Sequence, residues 1–241
     1  MCRHLAYLGP PVALHDLLFG APHALAQQAR CPRHQTSGRT NPDGWGVGWY
    51  VPGRDEPERH RTVVPIWDDD AFELQARDLR SGAVLAAARL ASPGATIDVA
   101  GNAPFVADGW LFSLNGIVYG FAEGVGDQLR AAASARRRGA ICSDADSEVL
   151  FALLLDRLDD GEPPDAALAG VVHDVLAITT GRLNLLLTDD RQVVGTRVGN
   201  SLFARDGIVV SEPLDDAPGW VEVPDESMLR LTETGMEVQR L

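Results

Sequence analysis

The chain begins Met1-Cys2-Arg3-His4-Leu5-Ala6-Tyr7-Leu8, and the architecture turns on these eight residues. Met1 precedes a small side chain, so its removal by methionine aminopeptidase is expected. Cys2 then carries both a thiol and a free α-amine. The amine has a reference pKa of ~7.7–8.0 and the thiol one of ~8.5. A neutral amine accepts a proton at physiological pH, and the thiol needs only modest help to become a thiolate. One residue thus supplies nucleophile and general base. Cys2–Leu8 reads as a short strand that starts almost at the terminus. It contains no long apolar stretch, so it does not read as a signal peptide.

Leu14–Phe19 reads as a helical turn between breakers, and Pro32–Pro42 as a loop. Asp43-Gly44 turns into an aromatic, Gly-rich strand, Trp45-Gly46-Val47-Gly48-Trp49-Tyr50. Asp68-Asp69-Asp70 caps a helix over Ala71–Leu79 that ends at Gly82. Ala83–Leu90 is a buried apolar strand, and Trp110–Val118 is a second, interrupted by Asn115-Gly116. Helices follow at Asp127–Arg138, Asp146–Leu158 and Asp165–Ile178. Beyond Gly181 come short strands: Leu183–Thr188, Gln192–Val198, Ser201–Ala204, Ile208–Ser211, Trp220–Val223 and Met228–Thr232. Strands, then helices, then strands again favour an α+β layered sandwich over a doubly wound βαβ sheet. No repeat or linker divides the chain, so a single domain over residues 2–241 is expected.

Composition narrows the chemistry. Against 34 Asp and Glu stand 21 basic residues, a net charge of −13. This argues against nucleic acid and anionic membrane surfaces as partners. All 21 basic residues are Arg. Without lysine there is no Schiff-base chemistry, no P-loop lysine and no Ser–Lys dyad. Cys2, Cys31 and Cys142 are too few for a disulfide framework. No apolar run approaches a membrane span. A cytoplasmic protein with reduced thiols is expected.

Four further segments carry candidate chemistry, each with a structural alternative. Arg89-Leu90-Ala91-Ser92-Pro93-Gly94 ends an apolar strand with a guanidinium that matches a carboxylate bidentately, or is an ordinary ion-pair Arg. Asn115-Gly116 offers a carboxamide and a backbone N–H as oxyanion donors, or marks a bulge or hairpin turn. Asp144-Ala145-Asp146-Ser147-Glu148 caps a helix, or places Asp146 against a substrate ammonium. Gly101-Asn102-Ala103-Pro104-Phe105 leads into the Asn-Gly strand as a loop.

In this order and spacing, Cys2, Arg89, Ser92, Asn115-Gly116 and Asp146-Ser147-Glu148 resemble the class II glutamine amidotransferases, a branch of the N-terminal nucleophile hydrolases. The resemblance implies a four-layer αββα sandwich. It further implies that Cys2 attacks a γ-amide carbonyl, and that Asn115 and Gly116 hold the oxyanion. Arg89 would bind the glutamyl α-carboxylate with Ser92 on the same side, and Asp146 the α-ammonium. Longer motifs cover nearly the whole chain: Cys2-Arg3-His4-Leu5, Asn41–Tyr50, Ala103-Pro104-Phe105, Arg182–Asp189 and Val210–Trp220. They are similar to the hydrolases of ergothioneine biosynthesis, which cleave the γ-glutamyl amide of γ-glutamyl-hercynylcysteine S-oxide through a γ-glutamyl thioester. Leu114 departs from that pattern, where His is expected.

The resemblance implies neither a cofactor nor a metal, and a small γ-glutamyl substrate as partner. Self-association is compatible with it. Trp45, Trp49, Trp67, Trp110 and Tyr119 are available either to face the quaternary ammonium of such a substrate or to fill the core. Arg3, His4 and His34 are further pocket candidates. The chain leaves no spare domain of ~100 residues for a second active site, which favours water as acceptor. Three alternatives stand beside this reading. A glutaminase subunit would feed ammonia to a separate synthase. A zinc protein would use Cys2, His4, Cys31 and His34. A third is a non-catalytic binding module.

Overall fold

Strand β1 (Arg3–Ala13) lies near the middle of a seven-stranded sheet in the order β11-β9-β10-β1-β4-β2-β3. Its neighbours are β4 (Arg80–Ala88) and β10 (Ile208–Val210), both antiparallel. The remaining strands of this sheet are β2 (Trp45–Trp49), β3 (Glu58–Thr62), β9 (Phe203–Arg205) and β11 (Val221–Glu222). A second, six-stranded sheet runs β13-β12-β8-β7-β6-β5. It comprises β5 (Phe105–Ala107), β6 (Trp110–Val118), β7 (Gly181–Thr188), β8 (Gln192–Arg197), β12 (Ser227–Thr232) and β13 (Gly235–Arg240). The computed structural model describes residues 2–35, 38–92 and 94–241. Met1, whose removal the sequence predicts, lies outside the described residues, as do Pro93 of the Arg89–Gly94 motif and positions 36 and 37 of the Pro32–Pro42 loop.

Strand alternation creates three separate apolar layers. Leu5, Tyr7, Trp45, Val47, Val84 and Ala86 face outward from the first sheet. They meet a helical turn at Asp16–Gly20, α1 (Leu25–Arg30) and α2 (Asp70–Ala76). The alternate residues Ala6, Leu8, Leu85 and Val209 face the second sheet, where Leu111, Leu186, Val193 and Leu229 pack against them. The outer face of the second sheet, with Phe112, Leu114, Leu183, Leu185 and Leu187, is covered by α5 (Asp146–Asp159) and α6 (Pro164–Ile178), with α3 (Gly126–Ala132) alongside. Helices, sheet, sheet and helices make the expected αββα sandwich. The Trp-Gly-Val-Gly-Trp pattern of β2 fits this placement. A Cβ on Gly48 would sit 2.4 Å from the Leu111 side chain of the opposite sheet, so glycine here permits the two sheets to approach.

Several expected boundaries move. The first strand does not stop at Leu8. It continues through Gly9-Pro10-Pro11 to Ala13, with a register shift against β4 between Leu8 and Val12. Its pairing with β10 ends at Tyr7, so the prolines need no ladder donor on that side. Helix α2 ends at Ala76, three residues before the expected Leu79, and Gly82 lies inside β4. The expected helix Asp127–Arg138 is two: α3, and α4 (Ala135–Gly139), whose Ser134 hydroxyl accepts the Arg137 N–H at 3.2 Å. Strand β6 is not interrupted at Asn115-Gly116, because those residues pair in register with Asn184 and Leu183 of β7. Four elements carry no sequence expectation: α1, β3, β5 and β13. Strand β3 (Glu-Arg-His-Arg-Thr) lies at a sheet edge and lacks an apolar alternation, while β13, exposed throughout at the edge of the other sheet, has only the short Met236/Val238 alternation.

Candidate active site

The ends of β1, β4 and β6 and the start of α5 converge on a cleft of about 450 Å³. Cys2, Arg89, Ser92, Gly116 and Asp146, from four separate stretches of chain, all line it. Strands β1 and β4 are paired at Arg3↔Ala88, which brings Cys2 beside Arg89 at one end of the first sheet. Residues of β6 in the second sheet form the facing wall. Gly116 is obligatory there: a Cβ would lie 1.7 Å from the Arg182 carbonyl oxygen of β7. Leu114, the position that departs from the family pattern, also lines the cleft on this wall.

Arg89 is 8% exposed, yet among the described residues it has no carboxylate partner. Among the described residues the guanidinium makes one hydrogen bond, from Nη1 to the Asn102 Oδ1, long at 3.4 Å. The guanidinium lies flat against Gly101, where a Cβ would meet Nη1 at 2.8 Å. A buried cation is costly without an anion, and this fork has the geometry to take a carboxylate bidentately. The Asn41-Pro42-Asp43-Gly44 motif fixes the backbone beneath it. The Arg89 N–H donates to the Gly44 carbonyl at 2.8 Å, the Asp43 N–H to the Arg89 carbonyl at 3.1 Å, and the Ala91 N–H to the Asp43 Oδ2 at 2.8 Å.

Asp146 opens α5. Its carboxylate accepts the Val118 N–H of β6 at 3.0 Å and the Ser147 N–H at 2.8 Å. Burial nevertheless raises its pKa above the usual carboxylate value, and the two N–H donors only partly offset this. A cation arriving in the cleft would supply the missing charge. Asp144 behaves oppositely. Burial opposes its ionisation, but hydrogen bonds from the Thr96 N–H at 2.9 Å and hydroxyl at 2.8 Å outweigh that and lower its pKa. The same bonds tie Thr96 to Asp144, two residues before α5.

Asn115 is not among the lining residues. It is fully buried and sits behind Gly116 in β6. Its Nδ2 donates to Ser211 Oγ at 3.1 Å, and its carbonyl oxygens accept from Asn200 Nδ2: the backbone oxygen at 2.8 Å, Oδ1 at 3.4 Å. These partners fix which way the carboxamide points and leave its second N–H without a partner among the described residues. Asn184 holds Asn200 in place, donating from Nδ2 to the Asn200 and Ser201 carbonyls and accepting the Val198 and Asn200 N–H groups.

Arg3 and His4 do not line the cleft; both are wholly buried. Arg3 donates from Nη1 to Glu212 Oε1 at 2.8 Å and from Nε to the Cys2 carbonyl at 2.7 Å. Glu212 also accepts the Arg33 and His34 N–H groups. The His4 ring contacts Ser113 Oγ at 3.1 Å, and burial, with the Arg3 charge second, pushes its pKa down to about 3, so it is neutral. The His34 ring packs edge-on against Phe203. Among the described residues no three His, Cys, Asp or Glu side chains gather to hold a metal, so the two Cys-His pairs do not converge. Of the aromatic candidates, Trp45 and Trp49 are core residues and Trp67 packs beside them; Trp110 packs on the helical side of the second sheet. Tyr119 lines the cleft, joined by Phe121. The positional signal for Phe121 is its place after a left-handed Gly120 that ends β6. Among the described residues no helix is long and apolar enough to cross a membrane.

Residues 17–205 match the family model of class II glutamine amidotransferases. Over its whole length the chain is 36% identical to a γ-glutamyl-hercynylcysteine sulfoxide hydrolase from Mycolicibacterium smegmatis, covering 100% of that protein. It is 34% identical to one of the same name from Mycobacterium tuberculosis, covering 97%. Among solved structures it is similar to a glutamine aminotransferase class-II domain protein of Silicibacter pomeroyi (TM-score 0.71, 27% identity, 99% of both chains). It also shares the fold of the glutamine phosphoribosylpyrophosphate amidotransferase of Bacillus subtilis (TM-score 0.67, 16% identity), where all of this chain corresponds to 49% of that one.

Proposed function

The chain belongs to the class II glutamine amidotransferases, and from that premise we propose that it hydrolyses the γ-glutamyl amide of γ-glutamyl-hercynylcysteine sulfoxide. The observation that carries this reading is the cleft, which Cys2, the Arg89 guanidinium and the half-buried Asp146 carboxylate all line. A glutamyl group presents a carboxylate and an ammonium on one carbon, and Arg89 and Asp146 are complementary to that pair. Ser92 lies on the Arg89 side. The γ-carbonyl is then directed to Cys2.

In this scheme Met1 is removed and the freed α-amine of Cys2 takes the thiol proton. The sulfur forms a bond to the γ-carbon, and negative charge develops on the carbonyl oxygen. The Gly116 N–H and the free N–H of the Asn115 carboxamide stabilise it; one such donor is typically worth ~3–4 kcal/mol of barrier. The protonated amine returns its proton to the leaving nitrogen as the C–N bond breaks. Water then attacks the thioester, giving glutamate and regenerating the thiol. Domain organisation fits one hydrolytic unit over 2–241.

The test is turnover of γ-glutamyl-hercynylcysteine sulfoxide by protein of known intact mass. The expected result is a mass without Met1, one glutamate per substrate consumed, no turnover by Cys2→Ala, and much slower release of ammonia from free glutamine. Equal rates on free glutamine would instead favour a glutaminase. Full activity in protein that retains Met1 would overturn the role of the amine.

A further inference from the structure

The Val210–Trp220 motif has no part in the chemistry above, yet its Ser211-Glu212 dipeptide touches both halves of the reaction centre. The ladder between β1 and β10 runs regularly through Tyr7↔Ile208, Ala6↔Val209 and Leu5↔Val210. The next rung is His4 against Ser211, and here the pattern changes. The Ser211 N–H still donates to the His4 carbonyl at 3.0 Å. The His4 N–H, however, donates to the Ser211 hydroxyl at 3.0 Å, while the Ser211 carbonyl accepts the Ser201 hydroxyl at 2.8 Å. A side chain has replaced the backbone acceptor of that rung. The same oxygen accepts the Asn115 Nδ2 at 3.1 Å.

We propose that Ser211 is a positioning residue for the reaction: its hydroxyl ties the strand that carries Cys2 to the Asn115 carboxamide and so sets the oxyanion donor relative to the nucleophile. Two hydrogen bonds and one oxygen atom separate His4 of the first sheet from Asn115 of the second. The next residue secures the other end of the arrangement, since Glu212 holds Arg3, which in turn donates to the Cys2 carbonyl. Both groups are buried, so neither link competes with water. This inference rests on the roles proposed above for Cys2 and Asn115, and the experiment separates the two.

The measurement is kcat and KM for the γ-glutamyl substrate in Ser211→Ala, Ser211→Cys, Ser211→Thr and Asn115→Ala, and in the Asn115→Ala/Ser211→Ala double variant. The rate of Cys2 alkylation by iodoacetamide, read on the Cys2 peptide by mass spectrometry, accompanies it. Ser211→Ala and Ser211→Cys are expected to lower kcat by about tenfold to 100-fold, the cost of a misplaced donor, with KM within about twofold. Cys2 alkylation, which needs no oxyanion donor, stays within about twofold, and Ser211→Thr restores most of kcat. In the Asn115→Ala background the Ser211 change has no further effect on kcat, a non-additivity that general destabilisation does not produce. If Ser211→Ala is slow but equally costly in both backgrounds, or if both Ser211→Ala and Ser211→Cys keep full kcat while Asn115→Ala is slow, the positioning role is overturned. Full kcat in Asn115→Ala overturns the oxyanion assignment itself.

Discussion

Two buried arginines lie at one end of the first sheet, Arg3 opposite Ala88 and Arg89 one residue beyond it, and the protein treats them in opposite ways. Behind the nucleophile, Arg3 is wholly enclosed and paired with Glu212, itself 1% exposed, at 2.8 Å. In front of it, Arg89 is almost as deeply enclosed, but its fork faces the cleft with one long bond to Asn102. A charge neutralised from within holds the framework, because removing its partner strands the other ion in a poor solvent. A charge left without a counter-ion has the opposite energetics: it destabilises the empty protein and is relieved by the right ligand. The difference separates an Arg paired within the framework from an Arg left open to the cleft.

The sharpest way to break this contrast is to neutralise each side in turn. Glu212→Gln, which strands the Arg3 charge, is expected to lower stability by about 3–5 kcal/mol. For a chain of this size that corresponds to a Tm fall of roughly 6–20 °C, read by thermal unfolding. Arg89→Met should do the reverse. It removes an unpaired buried charge, so Tm is unchanged or higher, while kcat/KM falls about 100-fold through the loss of two charged hydrogen bonds at ~1.5 kcal/mol each. A large stability loss in Arg89→Met would place it with Arg3 in the framework.

Smaller effects refine the same picture. Gly101→Ala puts a methyl 2.8 Å from Arg89 Nη1 and must displace the guanidinium. Steady-state kinetics should show kcat/KM lower by about tenfold, with little change in unfolding. Mildest is the pH effect on Asp146, whose pKa burial holds above the ordinary carboxylate value. Below that raised pKa the group is protonated and the ligand ammonium loses its counter-charge. Binding of a γ-glutamyl ligand to Cys2→Ala protein should therefore weaken as pH falls, beginning above the ordinary Asp value of ~3.9. Calorimetric titration across that range reads it, and Asp146→Asn should abolish the dependence.

That Cys2, Arg89 and Gly116 share one cleft was legible in the sequence, because their signals are local. A cysteine at the second position, an Arg closing an apolar strand and an Asn-Gly pair inside another each conflict with their surroundings and so invite a chemical reading. The scaffold side was not legible. Glu212 is an acidic residue before a proline, and nothing nearby says that it meets Arg3, 209 residues away. Ser211, Asn184 and Asn200 acquire meaning only through strand pairing. Asn115-Gly116 was read as a break in its strand because the pair is the usual mark of a hairpin turn; its pairing with β7 overrides that local preference. Edge strand β3 carries no apolar alternation, and that of β13 is confined to Met236 and Val238, too short for periodicity to register.

One consequence of the sandwich concerns how the protein becomes active. Cys2 sits at the end of one sheet and Asn115-Gly116 lies in the other, joined across the interface by the Ser211 hydroxyl. A chain in which each sheet has formed but the two have not yet docked would display native-like circular dichroism and no turnover. Recovery of activity on refolding is thus a direct readout of sheet-to-sheet docking, and it should lag behind the return of secondary structure.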